Sequence, residues 1–249
     1  MANISTANTG SSEGKPLAGG VALITGGSRG IGRAIAHRLA QLGAAVSLCG
    51  RNQEALARTA DELRALGVAV HAQTADVTQA DEIASLVEAT EKTLGPITIL
   101  VNNAGMGGFG PVHEKSEEEW DLVLDTNLKS VFLVSRALVP AMIRRGGGDI
   151  INISSLAGKN TFAGGGMYCA SKWGLQGLSG CMAEDLRSHG IRVSVICPGS
   201  VATEFAGRGP KDPRKALTAE DVAHAVGMVA VQGPQSFISE VHVRPLAKP

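Results

Sequence analysis

From Gly20 onward, short uninterrupted apolar runs alternate with longer stretches in which apolar positions recur every three or four residues. Short runs bounded by turn residues read as strands buried on both faces, and the longer periodic stretches as amphipathic helices. The pattern predicts strands at 21–24, 45–48, 68–70, 97–101, 150–153, 193–196 and 237–243. Helices fall between them, at about 30–42, 53–66, 79–94, 117–145, 167–189 and 219–231. Gly43 and Gly67 stand where two of these helices should stop, and Thr218-Ala219-Glu220-Asp221 reads as an N-terminal cap followed by acidic first-turn residues. Strand and helix alternating in this way imply βαβ units. The expected fold is therefore α/β, a single doubly wound, Rossmann-type domain with a mainly seven-stranded parallel sheet flanked by helices. That domain is expected to span 17–249. Gly146-Gly147-Gly148 is read as a loop rather than a domain linker because a strand follows at once.

Composition narrows the partners. Lys plus Arg and Asp plus Glu are equal at 23 each, so no long-range field favours nucleic acid or an anionic membrane. No apolar run approaches the ~18 residues of a membrane helix. Residues 1–16 are polar and rich in Ser, Thr, Asn and Gly, lack the apolar core of a secretion signal, and are expected to form a disordered tail on a cytoplasmic protein. Cys49, Cys169, Cys181 and Cys197 show neither a C-x-x-C pair nor zinc spacing, and the six histidines are scattered, so no metal site is expected.

Directly after the first strand comes Thr25-Gly26-Gly27-Ser28-Arg29-Gly30-Ile31-Gly32, opening a helix. Glycines there let backbone approach a pyrophosphate, whose charge is stabilised by free N–H groups and the helix dipole. Simple tight turning would use the same glycines, but the place, at the first βα junction, favours a dinucleotide. At the end of the second strand, NAD sites present an acidic side chain to the ribose 2′-hydroxyl. This chain has Cys49-Gly50-Arg51-Asn52 instead. Arg51 offers a guanidinium to a 2′-phosphate, with Arg29 as a second clamp, and NADP(H) is the expected cofactor.

Tyr168 is the only tyrosine, and Lys172 follows it by four residues. On a helix that spacing puts phenol and ammonium on one face. A nearby cation would stabilise the phenolate and bring its proton exchange into range, which suits a carbonyl or alcohol substrate. Ser155 stands thirteen positions upstream, a spacing that selects it over its rival Ser154 on the same strand end.

Together with Asn102-Asn103-Ala104-Gly105, Asp125-Thr126-Asn127 and Pro198-Gly199-Ser200-Val201-Ala202-Thr203, these motifs resemble the short-chain dehydrogenase/reductase family over nearly all of 17–244. The resemblance is closest to 3-oxoacyl reductase-like members. It implies that Tyr168 exchanges a proton with the substrate oxygen and that Ser155 positions that oxygen. Lys172 would hold the nicotinamide ribose and lower the phenol's pKa, and Asn127 would anchor a water leading from Lys172 to solvent. It further implies that Gly26, Ser28, Arg29, Gly30, Ile31 and Gly32 bind the pyrophosphate. Asp76 and Val77 would meet the adenine, and Asn103, Ala104 and Gly105 the adenosine side. Pro198, Gly199, Val201 and Thr203 would meet the nicotinamide carboxamide. Asp76 is equally readable as the cap of the next helix, in competition with Thr78.

The expected activity is NADPH-dependent reduction of a ketone, 3-oxoacyl thioesters included, to a secondary alcohol. Met106, Phe109, Leu156, Phe162, Met167 and Phe205 would gather into a largely apolar substrate pocket. Two other readings stay open at this stage, an NAD-dependent alcohol dehydrogenase and a non-catalytic NADP-sensing scaffold. Gly50 and Arg51 speak against the first, and the retained Ser155, Tyr168 and Lys172 against the second. A carrier protein as the acyl donor finds little support, since Gly146 and His189 occupy positions where basic residues are expected and only Arg144 and Arg145 lie close. The helices near 117–145 and 167–189 carry more apolar positions than one sheet face covers, so a homotetramer is expected, the family resemblance pointing to the same helices.

Overall fold

A computed structural model describes residues 14–205 and 212–247. Most of the expected N-terminal tail lies outside these residues. Its last part does not behave as a tail: the Lys15 carbonyl accepts from Ala18 N at 2.9 Å, and the Lys15 side chain lies against Gly43.

Seven strands pair in parallel: β1 (Val21–Thr25), β2 (Ala45–Gly50), β3 (Val70–Thr74), β4 (Ile99–Asn102), β5 (Gly148–Ile153), β6 (Ile191–Pro198) and β7 (Glu240–Val243). Their order across the sheet is β3-β2-β1-β4-β5-β6-β7. The chain winds one way from β1 to β3 and the other way from β4, so a crevice opens at the carboxyl ends of β1 and β4, where ligands bind in open α/β sheets.

Side chains alternate across the sheet. Ala22, Ile24, Val46, Leu48, Ile99, Val101, Ile151 and Ile196 face one way, against α1 (Gly30–Gln41), α2 (Gln53–Arg64) and α7 (Ala219–Ala230). Val21, Leu23, Leu100, Ile150 and Val193 face the other way, against α3 (Ala80–Leu94), α5 (Ser130–Arg145) and α6 (Gly166–Leu186). Two apolar cores thus sandwich the sheet, which is why its inner strands read as continuous apolar runs.

Three departures from the sequence reading stand out from shifts of one to three residues at other ends. The third strand is Val70–Thr74 rather than 68–70, and the seventh is Glu240–Val243 rather than 237–243. Both are edge strands and mostly half-exposed, so neither carries the apolar run that marks the interior ones. The helix expected over 117–145 is interrupted. After α4 (Glu117–Leu124) the backbone makes a π turn over Asp125–Lys129, in which Ser130 N donates to the Asp125 carbonyl, before α5 begins. The cap expected at Thr218 is present as a reciprocal capping box with Asp221.

Buried polar groups fasten α6 to the sheet. Asn102 Nδ2 donates to Asn152 Oδ1 at 2.9 Å, and Asn152 Nδ2 donates to Ser179 Oγ at 2.8 Å. Removing one partner would leave the other buried without water, so this ladder fixes both the register of β4 on β5 and the seat of α6.

Candidate active site

The glycine turn closes β1 and starts α1. Gly26 has φ +65°, a conformation open to glycine. At Gly32 a Cβ would stand 2.2 Å from the Gly26 carbonyl oxygen, so no side chain fits where helix and turn meet. Arg29 is the N-cap residue of α1, yet no side chain caps the helix and its first turn holds no acidic residue. The N-terminal amides and the positive end of the dipole therefore face the crevice uncompensated, which suits a pyrophosphate.

Thr25 and Asn103 hold this turn in place. Thr25 Oγ1 accepts from the backbone N–H groups of Asn103 and Ala104 at 3.0 and 3.1 Å, and Asn103 Nδ2 donates to the carbonyls of Thr25 and Gly26 at 3.0 and 3.1 Å. The Asn103 side chain is thus tied to the glycine turn rather than aimed at a ligand. Gly105 lies further along, where a Cβ would be 3.3 Å from Asn127 Oδ1 and 3.8 Å from Lys172 Nζ, so it borders Lys172 rather than the β2 side. Thr203 faces Gly30 across the crevice, its Cγ2 3.6 Å from where a Cβ of Gly30 would stand. Pro198 ends β6, Gly199 N donates to the Val243 carbonyl at 2.8 Å, and Val201 bridges to Leu217.

Arg51 is exposed at the end of β2, and no carboxylate among the described residues pairs with it. A Cβ at Gly50 would stand 3.1 Å from Ser28 Oγ. Asn52 is occupied as the cap of α2, accepting from Ala55 N at 2.8 Å. Arg29 lies 3.7 Å from Glu204 with both side chains largely exposed, a weak pair that leaves its guanidinium at the crevice mouth. Asp76 caps no helix. Its Oδ1 accepts from Thr78 N and Oγ1 at 2.9 and 2.8 Å, closing a turn, and α3 follows the N-cap residue Gln79 without a side-chain cap. Val77 is buried in the core, so only its backbone can meet a base. The open turn, the uncapped helix and the unpaired Arg51 fit a dinucleotide bearing a 2′-phosphate.

Tyr168 and Lys172 share one face of α6, the ammonium 5.9 Å from the centre of the phenol ring. Lys172 is only 5% exposed, and Nζ donates to the Ile153 carbonyl at 2.9 Å. Burial lowers its pKa to about 8. The expected lowering of the phenol's pKa does not appear. Burial raises Tyr168 above the ordinary tyrosine range, while the Ser155 hydroxyl pulls the other way without reaching full hydrogen-bond geometry. The phenol is therefore held in its acid form. Ser155 begins the turn after β5, its Oγ accepting from Ala157 N at 3.1 Å. Ser154 is buried and accepts from Gln176 Nε2 at 3.1 Å, which removes it as a rival.

Asn127 sits fully buried in the π turn. Its Oδ1 accepts from Met106 N at 2.7 Å, and its Nδ2 donates to the Met106 carbonyl and to Ser171 Oγ at 2.9 and 3.0 Å. It joins the loop after β4 to α6, three residues past Tyr168. Ser171 was not foreseen; a buried serine one position before Lys172 was the available signal. Phe109 meets the Tyr168 ring edge-on at 5.3 Å, Phe205 lies at 5.9 Å, and Phe162 lies 6.1 Å from Phe109. Phe109, Gly110, Phe162, Ala163 and Gly164 line a cavity of about 380 Å³. Met167 does not join this wall; it is 2% exposed and packs beside Gly108.

The depressed Lys172 pKa yields a signed prediction. In the folded, ligand-free protein Lys172 loses its proton near pH 8, whereas in the unfolded chain it does so near ~10.4. Between those values the unfolded chain holds more protons, so Lys172 makes unfolding free energy rise with pH. Buried Cys49 and Cys197, raised to about 12 and about 11, act in the opposite sense above pH 9. The informative quantity is thus the difference between wild type and Lys172→Met in urea melts from pH 7 to 10. Wild type should gain on the variant as pH rises; a flat difference would remove the depressed pKa.

The short chain dehydrogenase family profile matches residues 20–213. Gluconate 5-dehydrogenase of Gluconobacter oxydans (strain 621H) is 40% identical over 192 residues, 77% of this chain and 75% of that protein. A crystal structure of a metagenomic short-chain oxidoreductase in complex with NADP is 45% identical, covers 93% of this chain and 100% of that one, and superposes with a TM-score of 0.83. Actinorhodin polyketide ketoreductase with NADPH is 33% identical, covers 91% and 96%, and has a TM-score of 0.85. With sheet order, glycine turn and the Ser155, Tyr168 and Lys172 cluster all in place, the chain belongs to the short-chain dehydrogenase family.

Proposed function

We propose that this chain reduces an apolar ketone, 3-oxoacyl thioesters included, to a secondary alcohol with NADPH, Tyr168 donating the proton. The observation that carries this reading is the placement of the Tyr168 phenol and the buried Lys172 side chain on one face of α6 at the crevice, with Nζ 5.9 Å from the ring centre. Bound NADPH would supply the hydride for the carbonyl carbon. The amides of Gly26, Ser28, Gly30, Ile31 and Gly32 would hold its pyrophosphate, and Arg51, aided by Arg29, its 2′-phosphate. The backbones of Asp76, Val77 and Ala104 would border the adenosine, that of Gly105 the ribose beside Lys172, and Pro198, Gly199, Val201 and Thr203 the carboxamide. Lys172 would hold the nicotinamide ribose.

Ser155 positions the carbonyl oxygen and Tyr168 protonates it as negative charge develops there. A phenol is a stronger acid than the secondary alcohol that forms, so the proton passes from Tyr168 to the developing alkoxide. Asn127, fixed by Met106 and Ser171, would hold a water beside Lys172 to replace the proton. The aromatic wall of Phe109, Phe162 and Phe205 favours flat or acyl substrates. NADP in the metagenomic oxidoreductase and NADPH in the polyketide ketoreductase support the same cofactor and reaction. Carrier-protein delivery is disfavoured, since Arg145 is already engaged by Glu91 and the Ile97 carbonyl.

The reading extends to a cytoplasmic homotetramer. Four cysteines are free, and among the described residues no helix is long and apolar enough to cross a membrane. Both tryptophans, Trp120 on α4 and Trp173 on α6, are exposed at 42% and 50%, with Leu122 and Phe132 nearby in sequence also exposed. A second copy would cover them.

Three outcomes test this reading. Tyr168→Phe should abolish ketone-dependent NADPH oxidation while NADPH still binds, because only the phenolic proton is lost; turnover near the wild-type rate would end the assignment. Arg51→Ala removes a charge-assisted contact worth about 1.5–3 kcal/mol, so kcat/KM for NADPH should fall roughly ten- to a hundredfold while that for NADH barely moves. Equal loss with both cofactors would refute the phosphate role. Light scattering at micromolar concentration should report four chains per particle, and a stable monomer would refute the assembly.

A further inference from the structure

Cys197, Glu240 and His242 come together through strand register alone. Cys197 on β6 stands opposite His242 on β7, and Glu240, two residues before His242, shares its face. Cys197 Sγ lies 3.5 Å from Glu240 Oε1, His242 Nε2 lies 2.7 Å from the same oxygen, and all three donor atoms fall within 4.8 Å of one another. Around a tetrahedral zinc ion such donors would stand about 3.3–3.6 Å apart, given Zn–S near 2.3 Å and Zn–N and Zn–O near 2.0 Å. The group is close to that arrangement without backbone movement, because the exposed imidazole and carboxylate can rotate.

Its surroundings are organised as a metal's outer shell would be. Gln176 Nε2 is 3.0 Å from Cys197 Sγ and is oriented by Ser154 Oγ at 3.1 Å, so an amide N–H is already aimed at the sulfur that would carry thiolate charge. A cation already occupies the position: Lys159 Nζ lies 3.0 Å from Glu240 Oε1. With Lys159 in place, the carboxylate is balanced and the thiol stays neutral. A divalent ion with a carboxylate and a thiolate balances equally well and leaves Lys159 free.

We propose that Cys197, Glu240 and His242 bind a thiophilic divalent transition ion such as zinc, with water in the fourth position and Lys159 as the competing resident cation. As the ion enters, the Cys197 thiol gives its proton to solvent, the imidazole coordinates in its neutral form, and the Lys159 ammonium swings into water; nothing is oxidised or reduced. Thiolate and imidazole select zinc or cobalt over magnesium or calcium. Gln176, which donates to the Cys197 sulfur, lies one turn along α6 from Lys172, and Cys197 immediately precedes Pro198, but the site's existence does not depend on the proposed reaction.

The test uses the full chain, stripped with a chelator and dialysed. Cobalt(II) should bind once per chain and produce a thiolate-to-cobalt charge-transfer absorption that zinc then removes. Cys197→Ser should abolish that band. His242→Ala should weaken zinc, measured by competition with a chromophoric chelator, by about tenfold or more. Lys159→Met should tighten it severalfold, and Cys181→Ser, removing the exposed thiol, should change nothing. His242 and Lys159 are solvent-facing, so their variants remain informative even if Cys197→Ser fails to fold. No charge-transfer band in wild type, zinc binding unchanged in His242→Ala, or a band lost in Cys181→Ser would each overturn the site and leave an ionic network of Lys159, Glu240 and His242.

Discussion

A buried ammonium sets the constraint that the rest of the crevice obeys. Removing Lys172 from water costs several kcal/mol unless a partner compensates, and the partner is one backbone carbonyl, that of Ile153 at the end of β5. That bond exists only if α6 sits at a fixed height and rotation over β5. The Asn102, Asn152 and Ser179 ladder beneath it supplies this seat, and Asn127 with Ser171 secures the same helix from the other side. Tyr168 rides on α6, so its place at the crevice follows from the anchoring of a residue one turn away. Burial lowers the pKa of Lys172 because one carbonyl compensates only part of the lost hydration.

The crevice has two halves built on different principles. On the β1 side the proposed pyrophosphate contact would rest on backbone, because that group must come closer than side chains permit. Gly26 and Gly32 remove those side chains, while Thr25 and Asn103 supply the rigidity that glycines lack. On the β5 and β6 side the crevice is lined instead by side chains of α6 and the turn at Ser155, which would carry the proposed chemistry. The two halves meet where Thr203 faces Gly30 and where Gly105 passes Asn127 and Lys172.

Packing around Tyr168 sets its chemistry as well as its position. Phe109 and Phe205 crowd the only phenol in the chain, and the resulting loss of hydration raises its pKa. A nearby lysine on a helix suggests the reverse, because spacing reveals a neighbour and not the dielectric between them. The same helix turns Trp173 outward beside inward-facing Lys172, so a partner covering that surface would press on the element that carries Tyr168.

The inner strands, six helical regions with the break inside one of them missed, and the common face of Tyr168 and Lys172 were legible in the chain itself. Each depends on short-range rules: apolar runs for strands buried on both sides, a three-to-four residue period for helices, and one turn between positions four apart. The glycine turn and the absence of a carboxylate after β2 were legible for the same reason, as local sequence at a known junction. Tertiary structure decided what depends on distant partners. It moved the half-exposed edge strand β3 to Val70–Thr74, and it broke the long helix at Asn127, whose side chain binds Met106 across the crevice. It tied Asn103 to the glycine turn and Asp76 to its own turn, and it separated Ser155 from Ser154 through a bond to Gln176. It also placed Cys197 against Glu240 and His242, forty-three and forty-five positions away, because cross-strand register is set by the packing of whole elements and leaves no periodic mark on either segment.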